Sequence, residues 1–172
     1  MLRILIVVDM QNAFITGVLG TKEAQAIVPY VKKKIEEYKA KGYRIIFTRD
    51  SHNKNYLQTN EGKHLPVEHC IMWTDGWYIH KDIEDFNYFH INKTTFGYKD
   101  WDEWIPFEED MEIELCGVCT GICVITNALI LKTTFPNAEI IVDASCCACV
   151  TPESHKHALE VMKLCHINVI GE

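Results

Sequence analysis

The chain has 172 residues, enough for one domain with a sizeable core, and with 48% hydrophobic against 24% charged residues it is not a disordered chain. Its formal net charge of −7 argues against nucleic acid or an anionic membrane as the main partner, and no apolar run reaches the roughly 18 residues a transmembrane helix needs. The short apolar run at the start stops at Asp9 without a small-residue cleavage site, so it reads as a strand and not a signal peptide; the eight cysteines are then expected to be reduced thiols in a cytoplasmic protein.

Leu2 to Val8 is a near-continuous apolar run, as in a strand buried on both faces of a parallel sheet, and it ends in Asp9-Met-Gln-Asn-Ala-Phe14. From Lys22 to Lys41 the apolar residues Ala26, Ile27, Tyr30, Val31, Ile35 and Tyr38 recur at helical spacing, and Gly42 stops the helix. Tyr43 to Thr48 is a second buried strand, with Arg49-Asp-Ser-His52 at its C-terminal end. Residues 53–85 are long, polar and low in periodicity, and a loop of that length in a compact domain is usually functional. Asn87 to Asn92 reads as a strand ending at Lys93, and Asp100 to Trp104 as a short helix. Met111 to Cys116 is the next strand, followed at Gly117 by an elbow and then a helix from Thr120 to about Phe135, where Pro136 forbids continuation. Thr120 is expected to cap that helix by accepting from the N–H of Cys123. Ala138 to Asp143 is a strand, Thr151-Pro-Glu-Ser154 opens another helix, and Ile167 to Ile170 is a last strand. Strands alternating with helices give an α/β fold with a mostly parallel sheet and right-handed crossovers. No repeat or linker interrupts it, so residues 1–172 are read as a single domain.

In open α/β sheets ligands bind beyond the C-terminal ends of the strands. Asp9, Asp50, His52, Lys93 and Cys123 each follow the end of a predicted strand and are expected to meet at one sheet edge. A cysteine in the first turn of a helix lies among unpaired N–H groups at the positive end of the dipole, which favours thiolate; the same groups could hold an oxyanion. Asp9 beside a thiol could act as general base, or could simply cap a loop. Lys93 could hold Asp9 in its charged form and stabilise developing negative charge. Asp50 and His52, two apart on an extended segment, point to the same side, and His69 could complete a three-ligand set, with His64 as a further candidate. One carboxylate and two imidazoles suit zinc, iron(II) or manganese. Cys116-x-x-Cys119 has no second pair at zinc-ribbon spacing. Cys146, Cys147 and Cys149 keep open a thiol-redox or non-catalytic binding module.

These pieces coincide with a family pattern. Ile6-Val-Val-Asp9-Met-Gln-Asn-Ala-Phe14, Thr48-Arg-Asp50-Ser-His52, His69-Cys70, Lys93 followed by Phe96, and Gly117-Val-Cys-Thr-Gly-Ile-Cys123-Val occur in the order of one family. The sequence resembles the isochorismatase-like cysteine hydrolases, and within them the nicotinamidases. The resemblance implies a three-layer fold with helices on both faces of the sheet and a triad of Asp9, Lys93 and Cys123. It implies a cis peptide between Val118 and Cys119 that turns the N–H groups of Cys119 and Cys123 toward an oxyanion. Phe14 would be an aromatic wall of the pocket, beside Val118 and Cys119. Asp50, His52 and His69 would hold a divalent metal, zinc foremost and iron or manganese as alternatives. The implied activity is hydrolysis of a small aromatic carboxamide, nicotinamide to nicotinate plus ammonia, through a cysteine thioester; the alternative is another amide or a carbamoyl substrate. Family members often self-associate, so a homo-oligomer is expected. Three positions depart from the pattern. Gly121 stands where the family often has an acidic or amide residue, Ala13 where it often has an acidic one, and Leu65-Pro-Val-Glu-His69 lacks a tryptophan found before the metal histidine in many nicotinamidases.

Overall fold

A computed structural model describes residues 1–83 and 87–172. Its centre is a six-stranded sheet in the order β3-β2-β1-β4-β5-β6, with every neighbouring pair parallel. The strands are β1 (Leu2–Val8), β2 (Arg44–Asp50), β3 (Phe89–Lys93), β4 (Met111–Val118), β5 (Glu139–Ala148) and β6 (Asn168–Ile170). The helices are α1 (Asn12–Ile15), α2 (Lys22–Ala40), α3 (Asn60–His64), α4 (Ile125–Thr134) and α5 (Pro152–Leu164).

Successive side chains of a strand face opposite sides of the sheet, so a run with no polar residue must be covered twice. On β1, Leu5 and Val7 pack with Ile27, Val28, Val31 and Ile35 of α2. Ile4, Ile6 and Val8 pack on the other face with Ala128 and Leu131 of α4 and Leu159 and Met162 of α5. This is the expected three-layer α/β architecture. Two devices fix the helices. Thr21 accepts from the N–H of Ala24 at the start of α2, and Thr151 and Ser154 form a reciprocal capping box with Pro152 at the start of α5.

The strand order reverses between β1 and β4, where Gly117 pairs with Val8. Gly117 has φ +120°, and a Cβ on it would stand 2.1 Å from the Val8 carbonyl oxygen, so this contact admits glycine alone.

Three expectations are corrected. The long connection is not structureless: it holds short helical turns at Tyr56–Gln58 and Asp75–Trp77 and helix α3, while positions 84 and 85 at its end lie outside the described residues. Strand β5 runs to Ala148, well past Asp143, because β4 shifts register against it between Leu115 and Gly117 and pairing resumes beyond. The segment after β4 does not begin as an α-helix capped by Thr120. Cys119 occupies the capping position, Thr120–Val124 forms one wide π-helical turn, and α4 starts only at Ile125. The Val124 N–H donates to the Cys119 carbonyl at 3.1 Å, and the Thr120 hydroxyl is turned away toward His155.

Candidate active site

The residues at the C-terminal ends of four adjacent strands converge. Asp9 leaves β1 with φ 50°, a left-handed conformation that turns its carboxylate out of the strand line. Asp50 and Lys93 are the last residues of β2 and β3 and pair with each other in register. Cys119 follows β4 across a cis peptide bond from Val118. Gln11 ties two of these ends together: its Nε2 donates to the carbonyl oxygens of Asp50 and Trp77, both at 2.8 Å, and its Oε1 accepts from the Asp50 N–H at 2.7 Å.

Asp9, Lys93 and Cys123 form one buried cluster. Lys93 Nζ lies 2.6 Å from Asp9 Oδ2 and donates to the Thr95 carbonyl at 3.1 Å. The Thr48 hydroxyl donates to Asp9 Oδ1 at 2.6 Å. The Asp9 carboxylate is near enough to Cys123 for its charge to act on the thiol. Burial pushes the Asp9 carboxyl up; Lys93 opposes that shift and the charge of Asp50 adds to it. Burial likewise pushes the Cys123 thiol well up, with the Asp9 charge contributing and Lys93 opposing. Burial thus works against the thiolate that a helix N-terminus would favour: the wide turn replaces the helix end, and Asp9 beside it is fully buried.

A second cluster stands next to the first. The side chains of Asp50, His52, Glu61 and His69 each point one ligand atom into a group whose atoms lie within 4.8 Å of one another. Asp50 Oδ2 is 2.9 Å from His52 Nε2 and 3.3 Å from His69 Nε2, and Glu61 Oε1 is 3.6 and 3.7 Å from the same two nitrogens. The His69 Nδ1 faces the Val67 carbonyl at 2.8 Å, which commits that nitrogen to donating and leaves Nε2 to face the other three side chains. The buried Asp50 Oδ1 has no hydrogen-bond partner among the described residues. Two imidazoles, two carboxylates and an unpartnered buried oxygen fit a divalent ion of the zinc type. Burial works against the Asp50 charge, yet hydrogen bonds from His52 and His69 hold its carboxyl well below the usual range.

Glu61 is the residue that the sequence reading missed, and His64 stands outside the group. Thr59 caps α3 through the Gly62 N–H, which turns Glu61 inward, while His64 is exposed with Nδ1 against the Asn60 carbonyl at 2.9 Å. The signal available was Thr59-Asn-Glu-Gly, a cap followed by an acidic first turn.

Both clusters open onto one cavity of about 220 Å³, lined by Asp50, Glu61, His69, Cys119 and Cys123 and walled by Phe14, Leu65, Phe96, Val118, Ile122, Ala148 and Cys149. The Phe14 ring lies 5.6 Å from that of His69. Leu65 holds a wall position in the stretch where a tryptophan was missing. Trp77 and Trp101 are core residues and Trp73 is exposed; none of them lines the cavity. The other thiols divide. Cys116 is buried in the sheet, Cys146 and Cys147 face its opposite cores, and Cys149 alone of the late group reaches the cavity, where a hydrogen bond from Cys119 brings its thiol down to about 5 despite burial. At Gly121 a Cβ would lie 3.3 Å from the Cys149 sulfur and 3.5 Å from Ala158 Cβ, so the turn and α5 are in close contact there.

Fold and site together define a three-layer α/β hydrolase framework with its polar groups gathered where the strand order reverses. The isochorismatase domain profile matches residues 3–171, and the chain belongs to the isochorismatase family. Among solved structures it is similar to a pyrazinamidase of Pyrococcus horikoshii in complex with zinc, at 28% identity and TM-score 0.87 over 99% of both chains. It shares its fold with a nicotinamidase/pyrazinamidase from Bacillus subtilis (22% identity, TM-score 0.83, 98% of this chain and 99% of that one). It does so too with an N-carbamoylsarcosine amidase from Thermoplasma acidophilum (22% identity, TM-score 0.80, 98% and 95%). A search of curated proteins found no match. Among the described residues no helix is long and apolar enough to cross a membrane.

Proposed function

We propose that this hydrolase cleaves a small, uncharged aromatic carboxamide, nicotinamide to nicotinate plus ammonia. The observation that carries the reading is that Cys123, of the cluster with Asp9 and Lys93, lines one narrow apolar cavity together with Asp50, Glu61 and His69 of the second cluster. A divalent ion held by Asp50, His52, Glu61 and His69 would supply a partner for a ring nitrogen. The similarity to a zinc-bound pyrazinamidase supports this pairing of ring and metal. Phe14 and Phe96 offer faces for a flat ring. No arginine or lysine stands among the described residues lining the cavity, which disfavours carboxylated substrates such as N-carbamoyl amino acids.

In this reading Asp9 accepts the thiol proton as the Cys123 sulfur attacks the amide carbon. The N–H groups of Cys119 and Cys123 hold the tetrahedral oxyanion. Asp9 returns the proton to the leaving nitrogen, ammonia departs and a thioester remains. Asp9 then deprotonates a water that attacks the thioester, and the carboxylic acid leaves as the sulfur regains a proton. Lys93 keeps Asp9 oriented and balances its charge through both halves. The same reading carries a homo-oligomer and a cytoplasmic role in salvage of pyridine nucleotides, the first tested by sedimentation equilibrium.

The deciding experiment is ammonia release over nicotinamide, pyrazinamide, benzamide and an N-carbamoyl amino acid, with Cys123→Ala as control. Turnover of the pyridine and pyrazine amides with slower benzamide turnover is expected, and none in the variant. Preference for the carbamoyl compound moves the assignment to that branch of the family. Activity that survives Cys123→Ala removes the nucleophile.

A further inference from the structure

The wide turn Thr120–Val124 carries the nucleophile and follows the donor at Cys119, yet it lacks the side-chain cap that normally steadies a helix start. Something else must hold it. Thr120 is completely buried, and its hydroxyl lies 2.7 Å from Nδ1 of His155 in the first turn of α5. That turn is itself fixed, because Thr151 accepts from the Ser154 N–H while Ser154 Oγ accepts from the Thr151 N–H, both at 3.1 Å. The glycine next to Thr120 removes any spacer between the two elements, so the Ser154 carbonyl and Ala158 stand 3.6 and 3.5 Å from where its Cβ would be. Burial lowers the His155 pKa, so the ring that meets the hydroxyl is neutral and can hold either side of the bond.

We infer that Thr120 and His155 are a positioning pair for the amidase reaction: their hydrogen bond anchors the turn to α5 and thereby sets the N–H groups of Cys119 and Cys123 against the oxyanion. The inference rests on the amidase reading above. Neither residue touches the substrate, since neither lines the cavity. The pair is therefore expected to act on the step in which charge develops and not on amide binding. A displacement of the order of 1 Å in such donors costs about 100-fold in rate.

The test uses the zinc-supplemented full chain. Thr120→Val keeps the volume and loses the hydroxyl. His155→Asn keeps a polar atom near the place of Nδ1, and His155→Gln carries it one bond too far. Steady-state kinetics on nicotinamide should show kcat down by about 10–100-fold in Thr120→Val and His155→Gln with KM within about twofold, and most of kcat recovered in His155→Asn and Thr120→Ser. Pyridine-3-carbaldehyde supplies a second readout. Its carbon bonds to the Cys123 sulfur, the carbonyl π pair moves to oxygen, and the thiol proton passes to Asp9, leaving an oxyanion in the same place. Its inhibition constant should rise in Thr120→Val in proportion to the loss of kcat. The Thr120→Val/His155→Gln double variant should lose no more than the worse single one.

If the bond only fastens α5, Thr120→Val lowers the melting temperature while kcat and aldehyde inhibition of the folded protein stay at wild-type values; that result overturns the inference. So do equal kcat values for His155→Asn and His155→Gln, which differ only in reach. Absence of wild-type turnover overturns the amidase reading together with this assignment. Wild-type turnover with indifferent variants overturns this assignment alone.

Discussion

Lys93 sets its ammonium 2.6 Å from Oδ2 of Asp9, and both side chains are sealed from water. An ion pair so placed is costly to make and more costly to break, because removing one partner strands the other charge in a dry interior. Lys93→Met should destabilise the protein by about 3–5 kcal/mol in urea unfolding, and Asp9 should take up a proton to survive burial. Ammonia release should then fall by at least about 100-fold, since a protonated Asp9 accepts nothing from the thiol. Wild-type stability in Lys93→Met would show that the ammonium does not carry the charge balance assigned to it.

Burial pushes the Asp9 carboxyl above its ordinary value, beyond what Lys93 restores. A base must be deprotonated to act, so activity is lost as pH falls through that raised value. The acid limb of kcat/KM should therefore lie above the roughly 3.9 of a free aspartate. Asp9→Asn should abolish turnover at every pH. A plateau of activity reaching down to about pH 4 would show that Lys93 outweighs burial at Asp9.

Metal content separates Glu61 from His64. Glu61→Gln and His69→Ala should each lose bound zinc after dialysis, where the wild type keeps about one ion per chain by atomic absorption. His64→Ala should keep it, because that ring points away from the group. If His64→Ala loses zinc and Glu61→Gln does not, the fourth ligand has been misassigned.

On the opposite face, Lys34 bridges two strands by pairing with Asp143 at 2.7 Å and with Glu114, which also accepts from the Tyr38 hydroxyl at 2.6 Å. Lys34→Met strands two carboxylates and should cost about 3 kcal/mol, the lower end for buried pairs because the ammonium keeps some contact with water. Burial raises the Asp143 carboxyl, but bonds from Lys34 and Ser145 outweigh it and hold it below the ordinary value. Its contribution is thus present above the unfolded value of about 4 and lost as pH falls through the depressed folded one. The Lys34 shift is upward, so its share is complete at neutral pH. The stability gap between wild type and Lys34→Met should narrow below about pH 4, and a gap constant to pH 2 would contradict the pairing.

Much of this was legible in the chain. The apolar run of β1 announced burial on both faces, and the positions of Asp9, Asp50, His52, Lys93 and Cys123 after predicted strands pointed to one edge of a parallel sheet. Periodicity could not see the wide turn after Val118. Thr120 has the chemistry of a helix cap, and only the nearness of His155, 35 residues on, diverts its hydroxyl. Glu61 was hidden for a similar reason. In sequence it is one acid in a polar stretch, and it joins the candidate metal group only when the Thr59 cap turns α3 against His52 and His69. Gly121 read as a departure from the family pattern, and in the fold it lies close against Cys149 and α5, a neighbourhood that no local signal encodes.

The ammonium beside Asp9 is borne by β3, the last strand at one margin of the sheet, held there through β2. Edge strands open more readily than central ones, and such opening is measured by amide hydrogen exchange. The reactive cluster therefore spans regions of unequal local stability: its carboxylate sits on a central strand, its ammonium on a peripheral one. Mild denaturant should silence the protein by releasing β3 while β1 and β4 keep their exchange protection, so that loss of turnover precedes loss of the fold.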